Sequence, residues 1–130
     1  MYTIVLDTNI ILDSLKFKVD LFEELKRICN FKYDIKILDK TLKELENKPN
    51  GKLALKFIKQ KNIKLINTTK RFYVDDLLLQ LDKSYIIATN DKDLKRKLKN
   101  HPIITLRQKK YLIIQNVLWS YIKKPYQSST

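Results

Sequence analysis

The sequence holds one glycine, one cysteine and one histidine in 130 residues. A P-loop and a dinucleotide-binding turn each need several glycines, so Gly51 alone excludes both. Cys29 alone excludes a disulfide, a zinc finger and a cysteine-held iron–sulfur cluster. It reads as a buried helix residue rather than a reactive thiol. His101 alone excludes a two-histidine ribonuclease and a metalloprotease helix. None of the five serines sits in the nucleophile elbow that a triad with His101 would need. Acid is scarce as well: 14 Asp plus Glu stand against 27 Lys plus Arg, a net charge of +13. No apolar run approaches the roughly 18 residues of a membrane helix, and the opening segment lacks the basic start of a signal peptide. A soluble cytoplasmic protein without a membrane partner is expected. An enzyme of this composition must work with carboxylates and a bound metal.

What is present alternates between two periods. Tyr2–Leu6, Asp34–Leu38, Ile63–Ile66, Tyr85–Ala88 and Ile103–Leu106 are short apolar runs that read as buried strands. Between them lie helical patterns. One or two helices reach Asn30 through Leu21, Leu25 and Ile28, and another runs from about Lys40 to Asn47. Pro49-Asn50-Gly51 is the clearest turn, followed by a helix carrying Leu53, Phe57 and Ile58. A leucine-rich helix is expected over Val74–Leu81, and a basic one with Leu94 and Leu98 ends near Asn100. Strands alternating with helices imply an α/β domain with a central, mostly parallel sheet of about five strands. Residues 1–114 read as this one domain. Residues 115–130 read as a C-terminal extension, partly helical or frayed, although Tyr111–Ile122 as a whole suits a last strand or a helix.

Functional groups in such sheets gather beyond the C-terminal strand ends. Each of the first four strands has acid at or after its end: Asp7; Asp39 with Glu44 and Glu46; Asp75 and Asp76; Asp91 and Asp93. Grouped carboxylates resist joint ionisation, and a divalent cation relieves that cost. Oxygen donors without His or Cys select Mg²⁺ or Mn²⁺. Simpler roles compete. Asp39 and Asp75 suit helix N-caps, Asp93 suits the first turn of a helix, and Glu44 and Glu46 suit solvated pairs with lysine. The helical wheel does not choose between those two glutamates. Asp7 and Asp91 follow buried runs directly, where a carboxylate without partners is costly, and both are read as functional.

Four segments together resemble the PIN-domain ribonucleases: Val5-Leu6-Asp7-Thr8-Asn9, Leu42-Lys43-Glu44-Leu45-Glu46, Val74-Asp75-Asp76-Leu77-Leu78 and Ala88-Thr89-Asn90-Asp91-Lys92-Asp93-Leu94. Four motifs in order across residues 1 to 114 are specific where any single one is weak. The paired aspartates and the Thr-Asn-Asp-Lys-Asp-Leu-Lys-Arg run are most similar to the branch holding the small-subunit processome endonuclease and archaeal VapC-like proteins. The resemblance implies a three-layer α/β/α fold and metal-dependent hydrolysis of single-stranded RNA. It selects Asp7, Glu44, Asp76 and Asp91 as the catalytic, metal-holding acids. It also implies frequent homodimers, and as partner either an antitoxin or a pre-ribosomal particle. Asn9 and Thr89 suit the orientation of water or ligand carboxylates, and equally suit plain turn chemistry. Asp75 and Asp93 are auxiliary ligands in this reading.

After Asp93 the chain contains no acid at all. Lys95, Arg96, Lys97, Lys99, Arg107, Lys109 and Lys110 form the basic surface expected to hold an RNA backbone. Tyr111, Tyr121 and Tyr126 suit base stacking or, more simply, packing. Among competing readings, an RNA-binding PIN domain without activity is the strongest, although all four acid positions are filled. A receiver domain expects an acidic pair after strand one. A haloacid-dehalogenase-type phosphatase expects a second aspartate where Asn9 stands.

Overall fold

The structure, a computed structural model, describes residues 1–68, 84–98 and 101–116. The helix expected over Val74–Leu81, with Asp75 and Asp76, lies outside the described residues, as do Lys99, Tyr121, Tyr126 and the extension from 117 onward.

The chain runs β1 (Tyr2–Leu6), α1 (Thr8–Lys16), α2 (Leu21–Ile28), β2 (Tyr33–Leu38), α3 (Asp39–Glu46), α4 (Gly51–Gln60), β3 (Lys64–Ile66), β4 (Tyr85–Ala88), α5 (Lys92–Lys97), β5 (Ile103–Arg107) and β6 (Tyr111–Gln115). The strands form a six-stranded sheet in the order β3-β2-β1-β4-β5-β6. All neighbours are parallel except β5 and β6, an antiparallel hairpin. The sixth strand exceeds the expected five, because Tyr111–Gln115 resolves the strand-or-helix ambiguity by pairing Leu112 with Leu106.

Alternation along the strands builds two cores. Ile4, Leu6, Ile37, Ile86, Ala88 and Ile104 face one side, where Ile10, Leu25, Leu45 and Ile58 of α1 to α4 cover them. Val5, Leu38, Ile87 and Ile103 face the other, under Leu94 and Leu98. Period-two burial on both faces is what a central parallel strand requires, and the result is three layers. Among the described residues no helix is long and apolar enough to cross a membrane.

Local chemistry explains the helix ends. Asp20 accepts the Glu23 N–H at 3.1 Å and starts α2. Just past the end of α2, Cys29 packs against the larger core, and burial pushes its thiol up to about 12, which leaves it inert at neutral pH. The cap expected at Asp39 is not formed. β2 runs into α3 without a loop, so Leu38 occupies the cap position and Asp39 is the first helical residue. Its carboxylate instead accepts the Thr68 N–H at 3.1 Å and the Thr68 hydroxyl at 2.7 Å. Burial would raise the Asp39 pKa, but the two Thr68 bonds and Lys40 outweigh it and hold the carboxyl below its usual range.

α2 also guards the edge strand β6. Glu24 accepts the Leu112 N–H and Arg27 donates to the Leu112 carbonyl, both at 2.8 Å. The hydrogen bond from Arg27 holds the Glu24 carboxyl below its ordinary value.

The turn at Pro49-Asn50-Gly51 joins α3 to α4 as the sequence suggests. Asn50, not the glycine, takes the left-handed conformation, with φ 65°. Gly51 is needed for another reason: a Cβ there would lie 1.7 Å from the Leu45 carbonyl oxygen, a backbone atom that cannot swing aside. Gly51→Ala must therefore push the two helices apart. A loss of about 1 to 3 kcal/mol in urea unfolding is expected, and a neutral result would show that the junction yields.

Candidate active site

The switch in strand order falls between β1 and β4, the point where an open parallel sheet leaves a crevice at its C-terminal edge. The register Val5 with Ile87 and Leu6 with Ala88 brings the next residues, Asp7 and Thr89, out side by side. The Asp7 N–H bonds the Ala88 carbonyl at 2.9 Å, which extends the ladder to the rim of the crevice.

Asp7 is only 4% exposed. It is the N-cap of α1: its Oδ1 accepts the Thr8 N–H at 2.8 Å. Its Oδ2 accepts the Thr89 hydroxyl at 2.7 Å. The same Thr89 oxygen accepts the Asp91 N–H at 3.1 Å, so one buried hydroxyl links the two acids. Asp91 in turn caps α5, its Oδ1 accepting the N–H groups of Asp93 at 2.9 Å and Leu94 at 3.1 Å. Glu44 joins from α3, where the Thr8 hydroxyl donates to its Oε1. Glu44 and Glu46 are both exposed, and it is Glu44 that makes this link. Asp7, Glu44 and Asp91 are thus connected through two threonines. All their donors are oxygen, the type that suits Mg²⁺ or Mn²⁺. Among the described residues no three acidic, His or Cys side chains gather into a metal group. Asp76, the remaining acid of the set, lies outside those residues.

Asn9 accepts the Asn90 N–H at 3.1 Å on its Oδ1. Asn90, Asp13, Thr8 and Thr105 belong to the same polar network; Thr8 and Asn90 stand inside the motifs, but the sequence assigns a role to none of the four. Asn90 donates to Asp13 Oδ2 at 2.9 Å and accepts the Leu106 N–H at 2.9 Å and the Thr105 hydroxyl at 3.2 Å. The available signal was the i, i+4 pair Asn9 and Asp13, polar on one face of an otherwise apolar helix.

The basic residues divide. Lys95 folds inward and its Nζ donates to the Thr105 hydroxyl at 3.2 Å. Burial lowers its pKa, with Arg107 and Lys92 adding to the effect and Asp91 opposing it. Arg107, Lys109 and Lys110 lie exposed at the β5–β6 hairpin, and Lys109 sits 5.1 Å from the Phe17 ring at the end of α1. Arg96 pairs with Asp93 at 2.5 Å on an open face, both side chains more than 70% exposed. Lys97 is exposed. His101 belongs elsewhere: its Nε2 meets the Tyr85 carbonyl at 2.6 Å, at the opposite end of β4.

Residues 4–109 match the family model described as "PIN like domain". The chain is 41% identical over 128 residues to "Ribonuclease VapC4" of Methanocaldococcus jannaschii, covering 88% of this chain and 97% of that protein. It is 34% identical over 110 residues to "rRNA-processing protein fcf1" of Schizosaccharomyces pombe, covering 81% of this chain and 57% of that longer protein. The solved "Structure of the PIN domain endonuclease Utp24" superposes with a TM-score of 0.79 at 30% identity, covering 90% of this chain and 93% of that one. The strand order, the acids at the switch point and these matches agree: the chain belongs to the PIN-like domain family.

Proposed function

We propose that this protein is a metal-dependent endoribonuclease that hydrolyses phosphodiester bonds of single-stranded RNA in the crevice between β1 and β4. The observation that carries the reading is the Asp7–Thr89–Asp91 link, two acids tied through one buried hydroxyl at the topological switch point. Asp7, Asp76 and Asp91 would hold Mg²⁺ or Mn²⁺, with Glu44 completing the set directly or through water. A divalent cation held there would supply an activated water and charge neutralisation for phosphodiester hydrolysis. Thr89 orients the Asp7 carboxylate, and Asn9 and Thr8 steady the first turn of α1. Asp75 and Asp93 are auxiliary at most; the Asp93 pair with Arg96 satisfies it away from the crevice.

Basic charge supports a substrate path beside the crevice. Lys95 and Arg107 stand beside the crevice and interact with each other's charge. Lys109 and Lys110 continue the basic surface along the hairpin, and Arg96 and Lys97 add to it from α5. Such a surface holds a phosphate backbone without reading its sequence. The proposed setting is the cytoplasm. Processing of rRNA and a toxin-type role use this same site. The partner is a pre-ribosomal particle in the first case and an antitoxin in the second, and a homodimer suits both.

Asn is a good helix cap, so Asp7→Asn and Asp91→Asn keep α1 and α5 started while removing a charge. Both variants should lose Mn²⁺-dependent cleavage of single-stranded RNA with unchanged circular dichroism. Thr89→Val should cut cleavage by about ten- to a hundredfold, the usual cost of losing a group that orients a metal ligand. Cleavage by Asp7→Asn at the wild-type rate would sink the proposal.

RNA affinity should fall with salt. In EDTA and on the Asp7→Asn background, Lys95→Ala with Arg107→Ala should shallow the slope of log K against log salt by about one unit. An unchanged slope would move the RNA path off this side of the crevice.

A further inference from the structure

Asn90 spends its side chain inward, and nothing in the proposed chemistry uses it. Both lone pairs of its Oδ1 are taken, by the Leu106 N–H at 2.9 Å and the Thr105 hydroxyl at 3.2 Å, and its Nδ2 donates to Asp13 at 2.9 Å. Its backbone N–H is held by Asn9 at 3.1 Å. One residue therefore joins the end of β4 to two turns of α1 and to β5. Its chain neighbours are Thr89 and Asp91, and α1 begins at Asp7. The rotation of α1 against the β4 end decides whether Asp7 and Asp91 face a common space, and Asn90 pins that rotation through Asn9 and Asp13, beside the Thr89 bond to Asp7. The Thr105 hydroxyl that it holds also receives Lys95, so the clasp seats that cation at the same rim.

We infer that Asn90 is a positioning residue, which sets the relative orientation of the Asp7 and Asp91 carboxylates by clasping α1 to β5 through Asp13 and Leu106. The inference rests on the ribonuclease reading of those two acids. Misplacement of reacting groups by a fraction of an ångström to one ångström lowers turnover more than it lowers substrate affinity. A clasp that merely stabilises the fold lowers the melting temperature and leaves the turnover of folded molecules alone.

The test compares purified variants in steady-state cleavage of a single-stranded oligoribonucleotide with Mn²⁺, below their melting temperatures. Asn90→Ala should lower kcat by up to about a hundredfold with KM little changed. Asn90→Asp should lose comparably, since it sets a second carboxylate against Asp13. Adding Asp13→Asn to Asn90→Asp reverses the direction of that hydrogen bond and restores the total charge. The exchanged pair should recover at least about tenfold over Asn90→Asp, a coupling of the size that contacting partners show. Thr3→Ala is the stability control, because it removes the Thr3–Asp34 bond of 2.8 Å at the far end of β1; its kcat should match wild type.

Wild-type kcat in Asn90→Ala and Asn90→Asp overturns the inference, as does an exchanged pair no better than Asn90→Asp. A raised KM at constant kcat overturns it too, by making Asn90 an RNA contact. If Asn90→Ala does not fold, the exchanged pair decides alone. Loss of cleavage in Asp7→Asn alongside full activity of the Asn90 variants refutes this inference and leaves the ribonuclease reading intact. Full activity of Asp7→Asn refutes the reading and the inference together.

Discussion

A carboxylate withdrawn from water must be given partners, and Asp7 is almost wholly withdrawn. It cannot find them within its own strand. The Thr8 amide is supplied by the start of a helix, and the Thr89 hydroxyl by a strand more than eighty residues later. The second of these requires β1 and β4 to lie parallel and in one register. The central pairing of the sheet and the satisfaction of this one acid are therefore the same event. Everything else at the rim follows from it: Asp91 is held by the same hydroxyl, and Glu44 reaches the first turn of α1 through Thr8.

The surrounding polar groups are arranged with little waste. Asn9, Asp13, Asn90, Thr105 and Lys95 form one chain of hydrogen bonds running from α1 to α5 through the ends of β4 and β5. Buried or half-buried networks of this kind rigidify when every member is satisfied. The acids near the crevice are met by amides and hydroxyls, whereas most cations of this strongly basic chain are left toward solvent. That separation keeps the crevice acidic while the molecule as a whole attracts polyanions.

The strands were readable because burial on both faces imposes apolar runs, and Tyr2–Leu6 and Tyr85–Ala88 appear where those runs stand. Asp7 and Asp91 were readable for the same reason, as charges set at the ends of such runs. Tyr111–Gln115 was ambiguous because a short apolar segment suits either period; only its partner β5 decides. Asp39 looked like a cap, and nothing local showed that Thr68, 29 residues on, would claim it. Asn90 stands inside a motif yet has no readable role there, because its value lies in distant partners and side-chain direction is not written in spacing. Glu44 and Glu46 were inseparable on the wheel, and the Thr8 hydroxyl separates them.

The distance along the chain between the two halves of the crevice has a consequence during synthesis. Chains emerge from the ribosome N-terminal end first, and a domain completes its fold as a unit once all its elements are out. Here β1, β2 and β3 can come together with α1 to α4 first, since all precede residue 67. In that partial sheet the inner edge of β1 is bare, Asp7 lacks Thr89, and Asp91 has not been made. A nascent chain thus carries an incomplete crevice until β4 and α5 have left the exit tunnel. A ribonuclease with this topology would be silent until β4 and α5 have emerged, while it is close to the RNA of the ribosome producing it.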